Sequence, residues 1–152
     1  MNRVAGLLLL AKPRGLTSFR VLDAVKRRLE TRKVGHAGTL DRFASGLLVV
    51  LVGPYSRLTN LIQAGEKTYR GIIRFGAETD TLDPEGSVVA EAAPPSREAL
   101  EAALPRFRGM IEQKPPAYSA IHLGGKRAYE RALAGESVDP PARPVDIREL
   151  TL

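Results

Sequence analysis

The sequence predicts an α+β fold built on a mixed, mainly antiparallel sheet with flanking helices. Three observations lead there. Apolar runs of strand length recur at residues 6–12, 47–52, 67–75 and 87–91. The segments with helical spacing between them do not alternate regularly with strands, so the order β-α-loop-β-α-β-β-α-β-α-β is not that of a doubly wound parallel sheet. Finally, 43% apolar and 26% charged residues over 152 positions allow a packed core and argue against disorder.

The elements follow in order. GLLLLAK, residues 6–12, reads as a short buried strand ended by Pro13 and Gly15. Thr17 or Ser18 can cap a helix running to about Glu30, with Leu22, Val25 and Leu29 on its apolar stripe and Phe19 or Val21 one turn earlier. Lys26, Arg27 and Arg28 make its end cationic, which suits the helix dipole and would equally suit a phosphate backbone. Residues 35–46 hold three Gly and read as an irregular loop running into a strand at 47–52 whose continuous apolar pattern predicts burial on both faces. A short helix is expected at 56–64 with Gly65 at its C-terminal end, then a strand at 67–75, KTYRGIIRF, with a bulge at Gly71. Residues 79–86 form an acidic turn whose spacing does not fit a calcium loop. A strand at 87–91 follows, and then a helix capped by Ser96, with Leu100, Leu104 and Phe107 on one face and bent or ended by Pro105. Residues 111–113 read as extended and 119–123 lead into Gly124 and Gly125. A basic helix is expected at 126–134 and a last strand at 143–152.

Composition removes several function classes. Without Cys there are no disulfides, thiolate nucleophiles or Cys-ligated metals, and His36 and His122 are too few and too far apart for a His-based metal cage. The aliphatic run at 47–52 is too short to span a bilayer, and the apolar stretch after Arg3 is stopped by Lys12 and Pro13, so the expected location is the cytoplasm. Residues 1–75 carry 14 basic and 4 acidic residues, net +10, whereas residues 76–152 carry 9 and 13, net −4. A basic half on a balanced chain suggests a polyanion such as nucleic acid, although a solvated basic surface has the same composition.

Phosphate-binding GxxxxGK[ST], dinucleotide GxGxxG and hydrolase GxSxG patterns do not occur. Two features remain. Asp41 sits in the Gly-rich loop, and Tyr69 lies in a strand between Lys67 and Arg70. Taken alone, an Asp in such a loop is most often a turn or cap residue, and a strand Tyr is most often half-buried. On a basic half, however, His36 and Tyr69 are the flat side chains that readers of unpaired RNA stack on bases.

The run Gly35-His36-Ala37-Gly38-Thr39-Leu40-Asp41, followed by Ala44-Ser45-Gly46-Leu47-Leu48, resembles the catalytic-loop motif of the TruB family of tRNA pseudouridine synthases. Leu8-Leu9-Leu10-Ala11-Lys12-Pro13 with Gly15 and Thr17-Ser18 resembles the family's first strand and Lys-Pro turn. Lys67-Thr68-Tyr69-Arg70 resembles its Lys-x-Tyr-Arg strand, and Thr79-Asp80-Thr81 with Asp83 and Gly86 its acidic turn. Phe107-Arg108-Gly109, Gln113, Pro116, Tyr118-Ser119-Ala120 and Gly125-Lys126, with Tyr129-Glu130, resemble the segment leading into its RNA-gripping insertion. The similarity covers essentially the whole chain in the right order.

The resemblance implies the pseudouridine synthase catalytic fold and isomerisation of uridine 55 in the T-loop of tRNA. Asp41 would be the catalytic carboxylate, attacking C6 of the base or C1′ of the ribose. Tyr69 would stack on the flipped base and help remove the C5 proton. His36 would enter the vacated space, Lys12 would be structural or phosphate-facing near the loop, and Arg70 would contact substrate. No metal or organic cofactor is implied, and the partner would be the T-arm of tRNA, bound by a monomer. Residues 1–152 would be the N-terminal portion of the catalytic domain, with the RNA-gripping insertion at about 109–142 and no C-terminal PUA-like RNA-binding domain. Two departures stand out. Arg42 replaces the family's usual Pro, removing a φ restraint, and the Gly-Thr-Tyr-Ile-Arg segment whose Arg pairs with the catalytic Asp does not occur. The chain therefore reads as cut within the catalytic domain. The alternative function is a non-catalytic RNA-binding or tRNA-folding module that keeps the same surface.

Overall fold

Strand β1, Gly6–Lys12, pairs antiparallel with β3, Gly46–Val52, and β3 pairs antiparallel with β2, Val34–His36, so that β3 is central in a three-stranded sheet ordered β1-β3-β2. This is a computed structural model describing residues 4–116, 122–123, 125–128, 131 and 134–152. Leu8 lies opposite Val50 and Leu10 opposite Leu48. On a pleated strand these residues share one face. Helix α1, Ser18–Arg28, covers it with Leu22 and Val25, closing a core of Leu22, Val25, Leu48, Val50 and Val52. Each such side chain stabilises the fold by roughly 1.5–3 kcal/mol when fully buried.

Thr17 is the N-cap of α1 and accepts a hydrogen bond from the Arg20 N–H at 3.3 Å. The helix stops two residues short of the expected Glu30, which instead takes a left-handed φ of +49° just past the Leu29 cap. The Thr31 N–H then bonds the Lys26 carbonyl at 3.1 Å, satisfying a helix-end acceptor.

The expectation that β3 is buried on both faces holds along its C-terminal half and fails at its start. Its α1-facing side is closed; on the other side Leu51 is buried and Val49 half-buried, but Leu47 is exposed, as are Leu7 and Leu9 of β1. A continuous apolar run cannot reveal how far along a face the cover extends. The helix expected at 56–64 begins as a 3-10 turn, Gly53–Leu58, with Pro54 at its start, where no N–H is needed. Only Thr59–Gln63 is α-helical, α2.

The larger correction concerns residues 67–75. They form no strand, and Tyr69, Ile72 and Ile73 are 75%, 97% and 76% exposed. The composition suits a half-buried strand, but that state requires a neighbouring strand, and none of the described strands pairs with this segment. The bulge at Gly71 falls with the strand.

The chain divides into two units at Gly71 and Ile72. In the second unit β4, Ala77–Thr79, and β5, Val88–Glu91, form an antiparallel hairpin around the acidic turn. Asp80 accepts from the Ser87 N–H at 2.9 Å, and Asp83 from the Thr81 hydroxyl at 2.7 Å and the Glu85 N–H at 2.9 Å. These carboxylates are thus engaged within their own turn. Helix α3, Arg97–Ala103, is capped by Ser96 as expected and passes at Pro105 into a 3-10 turn, Leu104–Phe107. Strand β6, Gly109–Gln113, pairs antiparallel with β9, Arg143–Ile147, which ends before the expected residue 152.

Two-residue strands β7, His122–Leu123, and β8, Lys126–Arg127, form a small hairpin around Gly125. The basic helix expected from Lys126 is therefore corrected at its start. Ala128 and Arg131 are helical, while 129–130 and 132–133 lie outside the described residues, as do the motif residues Tyr118, Ser119 and Ala120. The fold class is α+β as read from the sequence. Every ladder among the described residues is antiparallel, and they fall into four small sheets rather than one.

Candidate active site

The Gly-rich loop leaves β2 at His36 and returns to the sheet at Gly46. Such a loop needs fixed backbone partners if a side chain on it is to be held in place, because its own residues make no ladder. The Ala37 N–H bonds the Val49 carbonyl at 2.9 Å and starts the loop from the sheet. Beyond it, three alternate residues are tied to the segment between β1 and α1. The Ser18 hydroxyl donates to the Leu40 carbonyl at 3.1 Å and accepts from the Leu40 N–H at 3.0 Å. The Gly15 N–H donates to the Arg42 carbonyl at 2.8 Å. The Lys12 ammonium donates to the Ala44 carbonyl at 2.6 Å. Asp41 sits between the first two anchors, and its own carbonyl accepts from the Ala44 N–H at 3.1 Å.

Lys12 is 1% exposed, and its ammonium also donates to the carbonyls of Pro13 at 3.1 Å and Leu16 at 2.7 Å. Burying an ammonium is tolerable only when its donors are satisfied, and three carbonyls match its three N–H groups. Of the two roles expected for Lys12, the structural one is supported by these contacts. Gly15 gives its N–H from a φ of +84°, a conformation costly for any residue with a Cβ. The Lys-Pro-x-Gly-x-Thr-Ser segment is thus the mounting of the Asp loop, although 22 to 32 residues separate the partners. Arg42 lacks the φ restraint of a proline, and its carbonyl is held by the Gly15 N–H.

The Asp41 side chain is exposed, and no hydrogen bond or ion pair reaches its carboxylate among the described residues. With both flanking peptide units held, its freedom is reduced to its own side-chain torsions. His36, at the other end of the loop, is partly buried in β2, and its ring meets Phe19 of α1 edge-to-face, with centroids 5.6 Å apart. Consecutive residues of the first turn of α1, Ser18 and Phe19, therefore touch Leu40 and His36 respectively.

Tyr69 and Arg70 are exposed, and no described hydrogen bond, ion pair or ring contact joins them to Asp41. Lys67 donates to the carbonyls of Gln63 at 2.6 Å and Gly65 at 2.9 Å, closing the end of α2. The structure thus brings together Lys12, His36 and Asp41 around one loop and leaves Tyr69 and Arg70 on an open segment. Among the described residues no cluster of His, Asp and Glu is arranged to hold a metal ion.

A family model described as TruB family pseudouridylate synthase (N terminal domain) matches residues 26–152. The chain belongs to the TruB family. The tRNA pseudouridine synthase B of Treponema denticola is 50% identical over 142 residues, which is 93% of this chain and 40% of that protein. The synthase of the same name from Synechococcus sp. is 47% identical over 154 residues, covering 100% of this chain and 52% of the relative. That from Borreliella burgdorferi is 45% identical over 143 residues, covering 93% and 51%. The chain thus spans only 40–52% of the length of these TruB-family relatives. A chain in the crystal structure of a Cbf5-Nop10-Gar1 complex is similar with a TM-score of 0.51 over 77% of this chain and 31% of that one, at 24% identity. That likeness is one of fold.

Sequence reasoning missed Ser18 as a loop-holding residue of this TruB-family chain. Two successive hydroxyls, Thr17 and Ser18, stand where a helix needs only one cap, and the surplus hydroxyl was the available signal.

Proposed function

We propose that the protein isomerises uridine to pseudouridine in tRNA, at uridine 55 of the T-loop, with Asp41 as nucleophile and the target base flipped out of the stack. The observation that carries this reading is the Asp41 loop itself, a bare carboxylate whose neighbours on both sides are fixed, in a chain of the TruB family. The relatives' name, tRNA pseudouridine synthase B, gives the substrate class.

The reaction is an isomerisation. The bond from C1′ to N1 breaks, a carboxylate adduct at C6 or C1′ carries the intermediate, C5 joins C1′, and the C5 proton is lost while N1 gains one. Atoms and electrons balance without a co-reactant, so no cofactor is required. Flipping a paired or stacked base costs a few kcal/mol. Tyr69 stacking on that base, His36 filling its place, and Arg70 with the cationic end of α1 on phosphates would offset this cost. Residues 1–152 act as the N-terminal portion of the catalytic domain, with 109–142 as the RNA-gripping insertion. The full-length protein works as a cytoplasmic monomer.

The direct test is release of tritium from C5-labelled uridine in tRNA by the full-length protein, with the modified position mapped. Release from position 55 supports the reading. Tight tRNA binding without release would favour a folding or binding module. T-arm binding should weaken steeply with salt, by a log–log slope of about −0.7 to −0.9 per phosphate neutralised. A flat salt response would remove the basic half from the interface.

Tyr69 should separate two jobs. Tyr69→Phe keeps the stacking face and is expected to bind tRNA normally but turn over slowly, whereas Tyr69→Ala should lose both, with stacking worth roughly 1–3 kcal/mol per base. Equal, mild defects in the two variants, measured by filter binding and single-turnover rate, would reject both roles.

A further inference from the structure

We infer that Ser18 is a positioning residue for the carboxylate of Asp41, an inference that rests on the proposed role of Asp41 as nucleophile. Ser18 is 1% exposed and lies one residue inside α1, where helix capping is already done by Thr17. Its hydroxyl makes two hydrogen bonds to the same residue, donating to the Leu40 carbonyl and accepting from the Leu40 N–H. A hydroxyl is one of the few small groups that can both donate and accept at a single atom.

The consequence is geometric. The Leu40 carbonyl belongs to the peptide unit that enters Asp41, so holding it fixes the plane from which the Asp41 backbone departs. On the far side, the Arg42 carbonyl is held by Gly15 and the Asp41 carbonyl by the Ala44 N–H. Of these holds on the peptides flanking Asp41, only that of Ser18 comes from a side chain, and it can therefore be removed by a single substitution. Ser18 is buried, so its expected action is through the loop rather than by contact with substrate. Its loss should leave binding alone and loosen the reacting group, since a nucleophile displaced by about 1 Å can lose on the order of 10²-fold in rate.

The experiment uses the full-length protein with Ser18→Ala, Ser18→Thr and Asp41→Asn. Ala removes the hydroxyl and nothing else, at a position where it is a good helix former. Single-turnover rate for Ser18→Ala is expected to fall roughly 10- to 100-fold, with the dissociation constant for tRNA moving less than about threefold. Ser18→Thr, which keeps the hydroxyl, should recover most of the loss. The Leu40 amide should exchange its hydrogen faster in Ser18→Ala while the Val50 amide in the sheet is unchanged. A wild-type rate in Ser18→Ala overturns the inference, as does a fall in rate matched by weaker tRNA binding, or a folded Thr variant as slow as Ala. The Asn variant keeps the two readings apart. If it is inert while Ser18→Ala is undiminished, the role of Ser18 alone is rejected. If it is active, the nucleophile reading fails and takes this inference with it.

Discussion

Asp41→Asn in the full-length protein is expected to abolish pseudouridine formation while leaving tRNA affinity within a few-fold and thermal stability unchanged. The side chain is exposed and makes no described hydrogen bond or ion pair, so the isosteric amide removes nothing that the fold uses. What it removes is the ability to form a covalent adduct, which splits one hard step into two easier ones. Losing such a nucleophile should slow turnover by at least roughly 10⁴-fold, or about 5.5 kcal/mol of transition-state stabilisation. Tritium release measured beside filter binding reads both quantities. Substantial turnover by the Asn variant would take Asp41 out of the nucleophile role.

The second large effect is expected at Lys12. Lys12→Met keeps the length of the stem but leaves the carbonyls of Pro13, Leu16 and Ala44 without their donor. Hydrogen bonds to a charged group contribute about 1.5–3 kcal/mol each, though not additively, so a loss of roughly 3–5 kcal/mol is expected. Because Ala44 closes the Asp41 turn, turnover should fall as well. Denaturant unfolding of the full-length protein measures the stability change. Unchanged stability together with a salt slope for RNA binding reduced by about 1 would instead place the ammonium on a phosphate.

Much of the first unit was legible from residues 4–58. β1 and α1 have long, regular apolar spacing, and Pro13 and Thr17 punctuate them. The loop could be singled out because glycines, a His and an Asp crowd into twelve positions. β2 was not legible, since three residues are too few for any periodicity to show. Residues 67–75 were misread for the opposite reason: their period is clear, but a strand is a property of two segments and only one can be read locally. Lys12 and Ser18 show the same limit inside the site. A Lys before Pro and a Ser at a helix start each have an ordinary local explanation. That both reach under a loop more than twenty residues away depends on a register that only the β1–β3 ladder sets.

The anchoring of the loop is one-sided. In these bonds Lys12 and Ser18 use side chains, whereas Leu40, Arg42 and Ala44 use backbone atoms. Any amino acid has a carbonyl, and all but proline have an N–H. These bonds therefore place no demand on the side chains at 42 and 44, but they restrict positions 12 and 18. Arg42 is an instance: a bulky cation stands beside Asp41 while its carbonyl still takes the bond from the Gly15 N–H. The position of the loop is thus set by the segment from Lys12 to Ser18, while side chains on the loop can change without altering those bonds.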